Sequence, residues 1–146
     1  RKTVTLFARI KEYFKEEIGE TPVDTRRTVS RMGRDIFPCA LHIRKAFLTA
    51  EGSEKAEKEL VRLSNAKRAF KEAVRKGYPL ELGSLALNGD ELSELGIPEG
   101  ENLGSALKML LEAVLEEPTL NSKASLVNLL RQSEFIGSQT SKSSDE

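Results

Sequence analysis

Leu85-Ala-Leu-Asn-Gly-Asp-Glu-Leu-Ser-Glu-Leu-Gly-Ile-Pro-Glu-Gly-Glu-Asn-Leu-Gly-Ser-Ala-Leu107 carries the punctuation of helices and none of the sustained alternation of a half-buried strand. Asn88 or Asp90 can cap a two-turn helix bearing Leu92 and Leu95, because a short polar side chain accepts from a first-turn amide that has no intrahelical partner. Gly96 ends that helix, Pro98 shapes the turn, and a new helix opens near Gly100. Leu103, Leu107, Leu110, Leu111 and Val114 then recur in threes and fours, the spacing of one helix face. Gly104 sits among them. It costs about 1 kcal/mol of helix propensity, so a close helix approach is expected there. Pro118 stops the helix, and Asn121 or Ser122 caps a last one containing Leu126, Leu129 and Leu130. A helix–turn–helix of hairpin type is therefore expected within residues 78–131.

Upstream, the same signals repeat. Val4, Phe7, Ala8, Phe14 and Ile18 imply one buried face of a helix over 3–18, closed by Gly19 and barred from continuing by Pro22. A short helix over 25–33 follows, capped by Asp24 or Thr25, with Val29 and Met32 inward and Gly33 at its end. Ile36, Phe37, Ala40, Leu41, Ile43 and Phe47 describe a third over 35–50, with Pro38 tolerable in its first turn. Ser53 can cap a fourth over 54–76, whose apolar stripe is Ala56, Leu60, Leu63, Phe70 and Val74, interrupted by Lys67 and closed by Gly77 and Pro79. Leu85-Ala86-Leu87 is too short to argue for a sheet. The fold class is thus all-α and multi-helical: two small lobes joined by a long helix at 53–77, then a polar tail over 132–146 expected to be flexible.

Composition narrows the function. Hydrophobic residues make up 38% and charged residues 32%, which suits thin helical layers. The apolar stretches are broken by charges, so neither a membrane span nor a signal peptide is expected. Cys39 is the one cysteine, which rules out an internal disulfide and is compatible with a reducing, cytoplasmic setting. His42 is the one histidine, leaving no imidazole cluster for zinc. The 23 basic and 23 acidic residues cancel, but they are segregated. Between Arg26 and Lys76 there are 14 Lys/Arg and 6 Asp/Glu; between Asp90 and Glu117 there are 8 acidic residues and one lysine. A basic half can attract phosphates even in a neutral chain. The start at Arg1-Lys2-Thr3 leads us to expect a segment of a longer protein.

Asn88-Gly89-Asp90-Glu91-Leu92, Leu95-Gly96, Gly100, Leu103-Gly104, Leu107, Leu111, Val114-Leu115, Pro118 and Asn121, in that order, resemble one known pattern. It is the C-terminal RNA-binding region of bacterial CCA-adding tRNA nucleotidyltransferases and their poly(A) polymerase relatives. Asp24-Thr25-Arg26-Arg27-Thr28-Val29, Arg31-Met32-Gly33, Asp35-Ile36-Phe37-Pro38 and Ile43-Arg44-Lys45-Ala46 look like the segment that closes the central helical domain of clostridial-type members. That segment usually ends in Ala-Asp, where this chain has Ala46-Phe47. The resemblance covers residues 3–130. It implies the end of an HD-like central domain over 1–52, a connecting helix over 53–77 and a tRNA-binding helical domain over 78–131.

The same resemblance implies that the parent protein transfers CMP and AMP to an RNA 3′ end, with magnesium, in an N-terminal catalytic head that this chain lacks. The chain would bind tRNA or another structured RNA, would pair with its own head, and needs no cofactor itself. Many clostridial-type members carry a metal-binding His-Asp dyad before the Arg-rich segment; here Lys11-Glu12 stand in its place. A protonated lysine cannot ligate a divalent ion, so the alternative of a remnant phosphohydrolase is disfavoured.

Candidate RNA contacts are Arg26, Arg27, Arg31, Arg34, Arg44 and Lys45, together with Arg68, Lys71 and Arg75, which share one helix stripe. The ordinary meaning of such rows is a solvated face. The turn from Gly96 to Gly100 offers amides and a helix N-terminus to a phosphate, against repulsion from Glu99 and Glu101. Tyr13 and Tyr78 could stack on bases, but aromatic residues at 5% argue against a dedicated stacking platform. Cys39 with His42 as a catalytic pair, and Glu112, Glu116 and Glu117 as a metal site, lack the partners such sites need. A scaffold role is the remaining alternative: a homo-oligomer in which one copy's basic middle meets another's acidic end.

Overall fold

The computed structural model describes Ala8 and residues 18–133. The helix expected over 3–18, the Lys11-Glu12 segment, Tyr13 and the tail beyond Ser133 lie outside those residues, except that Ala8, expected inward, is exposed and Ile18 is buried. All regular structure among the described residues is helical, as the sequence predicts. The chain divides into two units, residues 1–80 and 81–146.

In the first unit, α1 spans Pro22–Met32, α2 Ile36–Glu51 and α3 Glu54–Arg75. The chain is non-helical over 18–21, and α1 then begins at Pro22 rather than at 25, capped by Thr21 and not by Asp24 or Thr25. The Thr21 hydroxyl accepts from the Asp24 amide at 3.1 Å, and proline at the first helical position forfeits only an amide that had no partner. Gly19 allows the approach to this turn, since a Cβ there would stand 2.6 Å from that of Asp24. Ser53 caps α3 as expected, accepting from the Ala56 amide at 3.0 Å. At the other end the Tyr78 amide donates to the Ala73 carbonyl and Gly77 to Val74, a Schellman closure.

The helix expected as a connector belongs wholly to this unit, packed along both α1 and α2. Its buried line is Ala56, Leu63, Ala66 and Ala73, with Phe70 half-buried, rather than the line of large residues. Alanines at 66 and 73 let α3 come close to its neighbours, and the Phe70 ring meets buried Phe37 at 5.1 Å. Lys67 therefore interrupts nothing. Val74 and Phe47, both expected inward, are 45% and 63% exposed.

The second unit opens with a 3-10 turn, Leu82–Ser84, followed by α4 (Gly89–Glu94), α5 (Glu101–Glu116), a 3-10 turn at Pro118–Leu120 and α6 (Lys123–Gln132). Its core is leucine-rich: Leu92, Leu110, Val114, Leu126 and Leu130 are fully buried around Ala106. Asn88 forms a full capping box with Glu91. Gly104 does not mediate close packing: it is exposed, and a Cβ there would meet nothing within 4 Å. Ser122, not Asn121, caps α6. Asn121 instead accepts from the Ala86 amide at 2.8 Å and donates to the Ser84 carbonyl at 3.0 Å, fastening the unit's first loop to its last. Asn121→Ala removes both bonds and leaves two part-buried backbone groups unmatched, so a loss of about 2 kcal/mol is expected in thermal melts. Asn121→Asp, which keeps an acceptor and loses the donor, should fall between.

Candidate nucleic-acid interface

The charge asymmetry follows the structural division. Residues 1–80 hold 19 Lys/Arg and 11 Asp/Glu; residues 81–146 hold 4 and 12. Formal charges of +8 and −8 thus sit on separate units.

Within the basic unit the candidate residues are unequal. Arg26 is only 7% exposed, and its guanidinium lies 5.5 Å from the centre of the Tyr78 ring. Burial pulls its pKa below the ordinary arginine value, with the Tyr78 hydroxyl pulling the other way. Its geometry is that of a packing residue. The Tyr78 ring also takes the Lys76 ammonium at 5.7 Å, so the ring offered for stacking already serves two cations of its own unit. Arg27 and Arg44 are half-buried, and Arg31, Arg34 and Lys45 are exposed. The arginines at 27, 31, 34 and 44 are each engaged by other groups of the chain.

On α3 the packing of Ala66, Phe70 and Ala73 turns Arg68, Lys71 and Arg75 outward, and Lys67 with them. At 1.5 Å of rise per residue, a helical row from 67 to 75 is roughly 12 Å long. Its far end is partly neutralised. Arg75 Nη2 donates to Glu72 Oε1 at 2.6 Å and Nε donates to Oε2 at 3.1 Å, while Lys76 Nζ lies 3.3 Å from the same carboxylate. These bonds, from Arg75 first and Lys76 second, hold the Glu72 carboxyl below its usual range and push both cations up. Lys67, Arg68 and Lys71 form the part of the row left before that cluster. Lys67 is not among the sequence candidates. The 56-63-66-70-73 spacing is the signal that could have found it, since it places position 67 outside the buried line.

The turn between α4 and α5 follows the expected punctuation, with Gly96 closing α4 and α5 opening after Gly100. The Gly96 amide donates to Ser93 and the Ile97 amide to Leu92, a second Schellman closure with Gly96 at φ 97°. Gly96 is therefore committed to ending α4. Gly100, at φ 108°, stands at the start of α5 with no side-chain cap, flanked by exposed Glu99 and Glu101. The turn keeps the macrodipole's positive end but surrounds it with carboxylates.

Compared with protein-family models, curated proteins and solved structures, the chain matches none. Among the described residues no group of three His, Cys, Asp or Glu side chains is placed to hold a metal. Cys39 is half-buried and His42 lies on the same helix, α2, while Glu116 and Glu117 are exposed at the end of α5, with Glu112 one turn earlier. No helix among those residues is long and apolar enough to cross a membrane. A polar face of α6, with Lys123, Asn128 and Arg131, lines an open concavity that no sequence motif marks. There Lys123 is drawn to Glu91 at 2.9 Å, which holds the Glu91 carboxyl low and raises the ammonium.

Proposed function

We propose that this chain is an RNA-holding segment of a tRNA nucleotidyltransferase or poly(A) polymerase relative, placing an RNA 3′ end for chemistry in a separate catalytic head. The observation that carries the reading is the outward row Lys67, Arg68 and Lys71 on α3, in a unit of formal charge +8. The ordered motifs from Asn88 to Asn121 supply the family direction. The role is placement. Cations on a rigid helix neutralise backbone phosphates, release counterions and fix the RNA's register without reading bases. Fixing the 3′ end relative to the head supplies the orientation that a bimolecular transfer otherwise lacks. Transfer of CMP or AMP and the magnesium it needs belong to the head, and a cytoplasmic setting follows from the same reading.

Filter binding of the whole chain to tRNA tests this. Retention is expected at roughly 50 mM salt, and an increase to roughly 200 mM should weaken it by at least tenfold if a few phosphates are neutralised. A chain of full helicity that retains no tRNA at the lower salt would overturn the reading.

A further inference from the structure

Each unit exposes a few apolar side chains beside a row of like charges. On α3, Val61 and Val74, 60% and 45% exposed, lie on either side of Arg68 and Lys71 along the helix. In the second unit Leu95 is 37% exposed at the end of α4, and Glu94, Glu99 and Glu101, all exposed, neighbour it in the turn. We propose that the α3 face of one copy receives the α4–α5 turn of a second copy, a salt-sensitive head-to-tail self-association. Opposite charge steers protein encounters and fixes their register, and these two surfaces supply one sign each: exposed Lys67, Arg68 and Lys71 on α3, exposed Glu94, Glu99 and Glu101 at the turn. A chain whose 23 positive and 23 negative charges cancel has no net repulsion holding its copies apart, so opposed patches can steer their encounter. The patches differ, so the contact is heterologous and extends into chains unless its rotation closes a ring. It does not depend on the RNA reading; where both hold, RNA and a second copy compete for the same face of α3.

Sedimentation velocity of the full chain, across protein concentration and salt, reads the association directly. The mean sedimentation coefficient is expected to climb with concentration at low salt. It should fall to that of a monomer near 1 M salt, where the screening length is about 3 Å. The reversals Glu94→Lys, Glu99→Lys and Glu101→Lys, made together, should give a monomer at every salt, and so should Arg68→Glu with Lys71→Glu. An equal mixture of the two reversed proteins should associate again, because each now offers the sign the other lacks. Should either reversal lose helicity, the neutral set Glu94→Gln, Glu99→Gln and Glu101→Gln takes its place and must show the same loss. A wild-type chain monomeric at low salt, an association indifferent to the reversals, or a mixture that stays monomeric would each overturn the proposal.

Discussion

Phe37→Ala is expected to cost the first unit about 3–5 kcal/mol, read as a lower denaturant midpoint by circular dichroism. Phe37 has no exposed surface and packs its ring on Phe70 at 5.1 Å, tilted by 46°. Truncation forfeits the transfer free energy of a whole ring and leaves a void where α2 meets α3. The helices are tied together by short turns at Gly33 and Gly52, so they have little freedom to close over it. The informative control is Val74→Ala, which should change stability by no more than about 0.5 kcal/mol because that side chain is 45% exposed. A Val74→Ala loss as large as that of Phe37→Ala would mean that α3 is rotated from the orientation described.

The orientation of α3 marks where the sequence was legible and where it was not. Helix existence, Ser53 and Asn88 as caps, and the stops at Gly33 and Gly96 are local events, decided by the chemistry of a few adjacent residues. Orientation is not local. Reading α3 by its large side chains placed Ala56, Leu60, Leu63 and Phe70 on the inner side but added Val74, whereas the fold buries Ala66 and Ala73, because neighbouring helices press closest where side chains are small. The start of α1 was missed for another reason: a proline read only as the stop of the preceding helix is also among the best residues at starting one, so the cap falls on Thr21 and not on Asp24 or Thr25. Gly104 shows that a glycine in a leucine stripe need not mark a contact. Among the site candidates, the sequence placed Arg26 and Arg75 beside their neighbours as equals. Burial of Arg26 against Tyr78 and the Glu72 clamp on Arg75 both depend on which side chains the fold brings together. Asn121 was legible as a polar residue of consequence, but its two backbone bonds span the second unit, and no local pattern encodes them.

The second large effect concerns RNA, and it is ordered by those differences. Removing Arg68 and Lys71 together should weaken tRNA binding most, because both side chains stand outward on α3 ahead of the Glu72 cluster. Adding Arg75→Ala should contribute least of the three, since its guanidinium already gives two hydrogen bonds to Glu72. Changes at Gly100, such as Gly100→Asp, act by another route. They force a side chain onto a backbone at φ 108° and bring a carboxylate to a helix start already flanked by Glu99 and Glu101. Such a variant would lose affinity through local distortion, with little change in the number of phosphates neutralised.

The direct measurement is the slope of log affinity for tRNA against log salt, for wild type and for the Arg68→Ala, Lys71→Ala, Arg75→Ala variant, by electrophoretic shift at several salt concentrations. Every phosphate the variant no longer neutralises should flatten the slope by roughly 0.7–0.9. The account expects weaker binding together with a flatter slope, most of it present once Arg68 and Lys71 are gone. A triple variant that binds tRNA as tightly as wild type, with an unchanged slope, would contradict it and reduce the outer row of α3 to a solvated helix face.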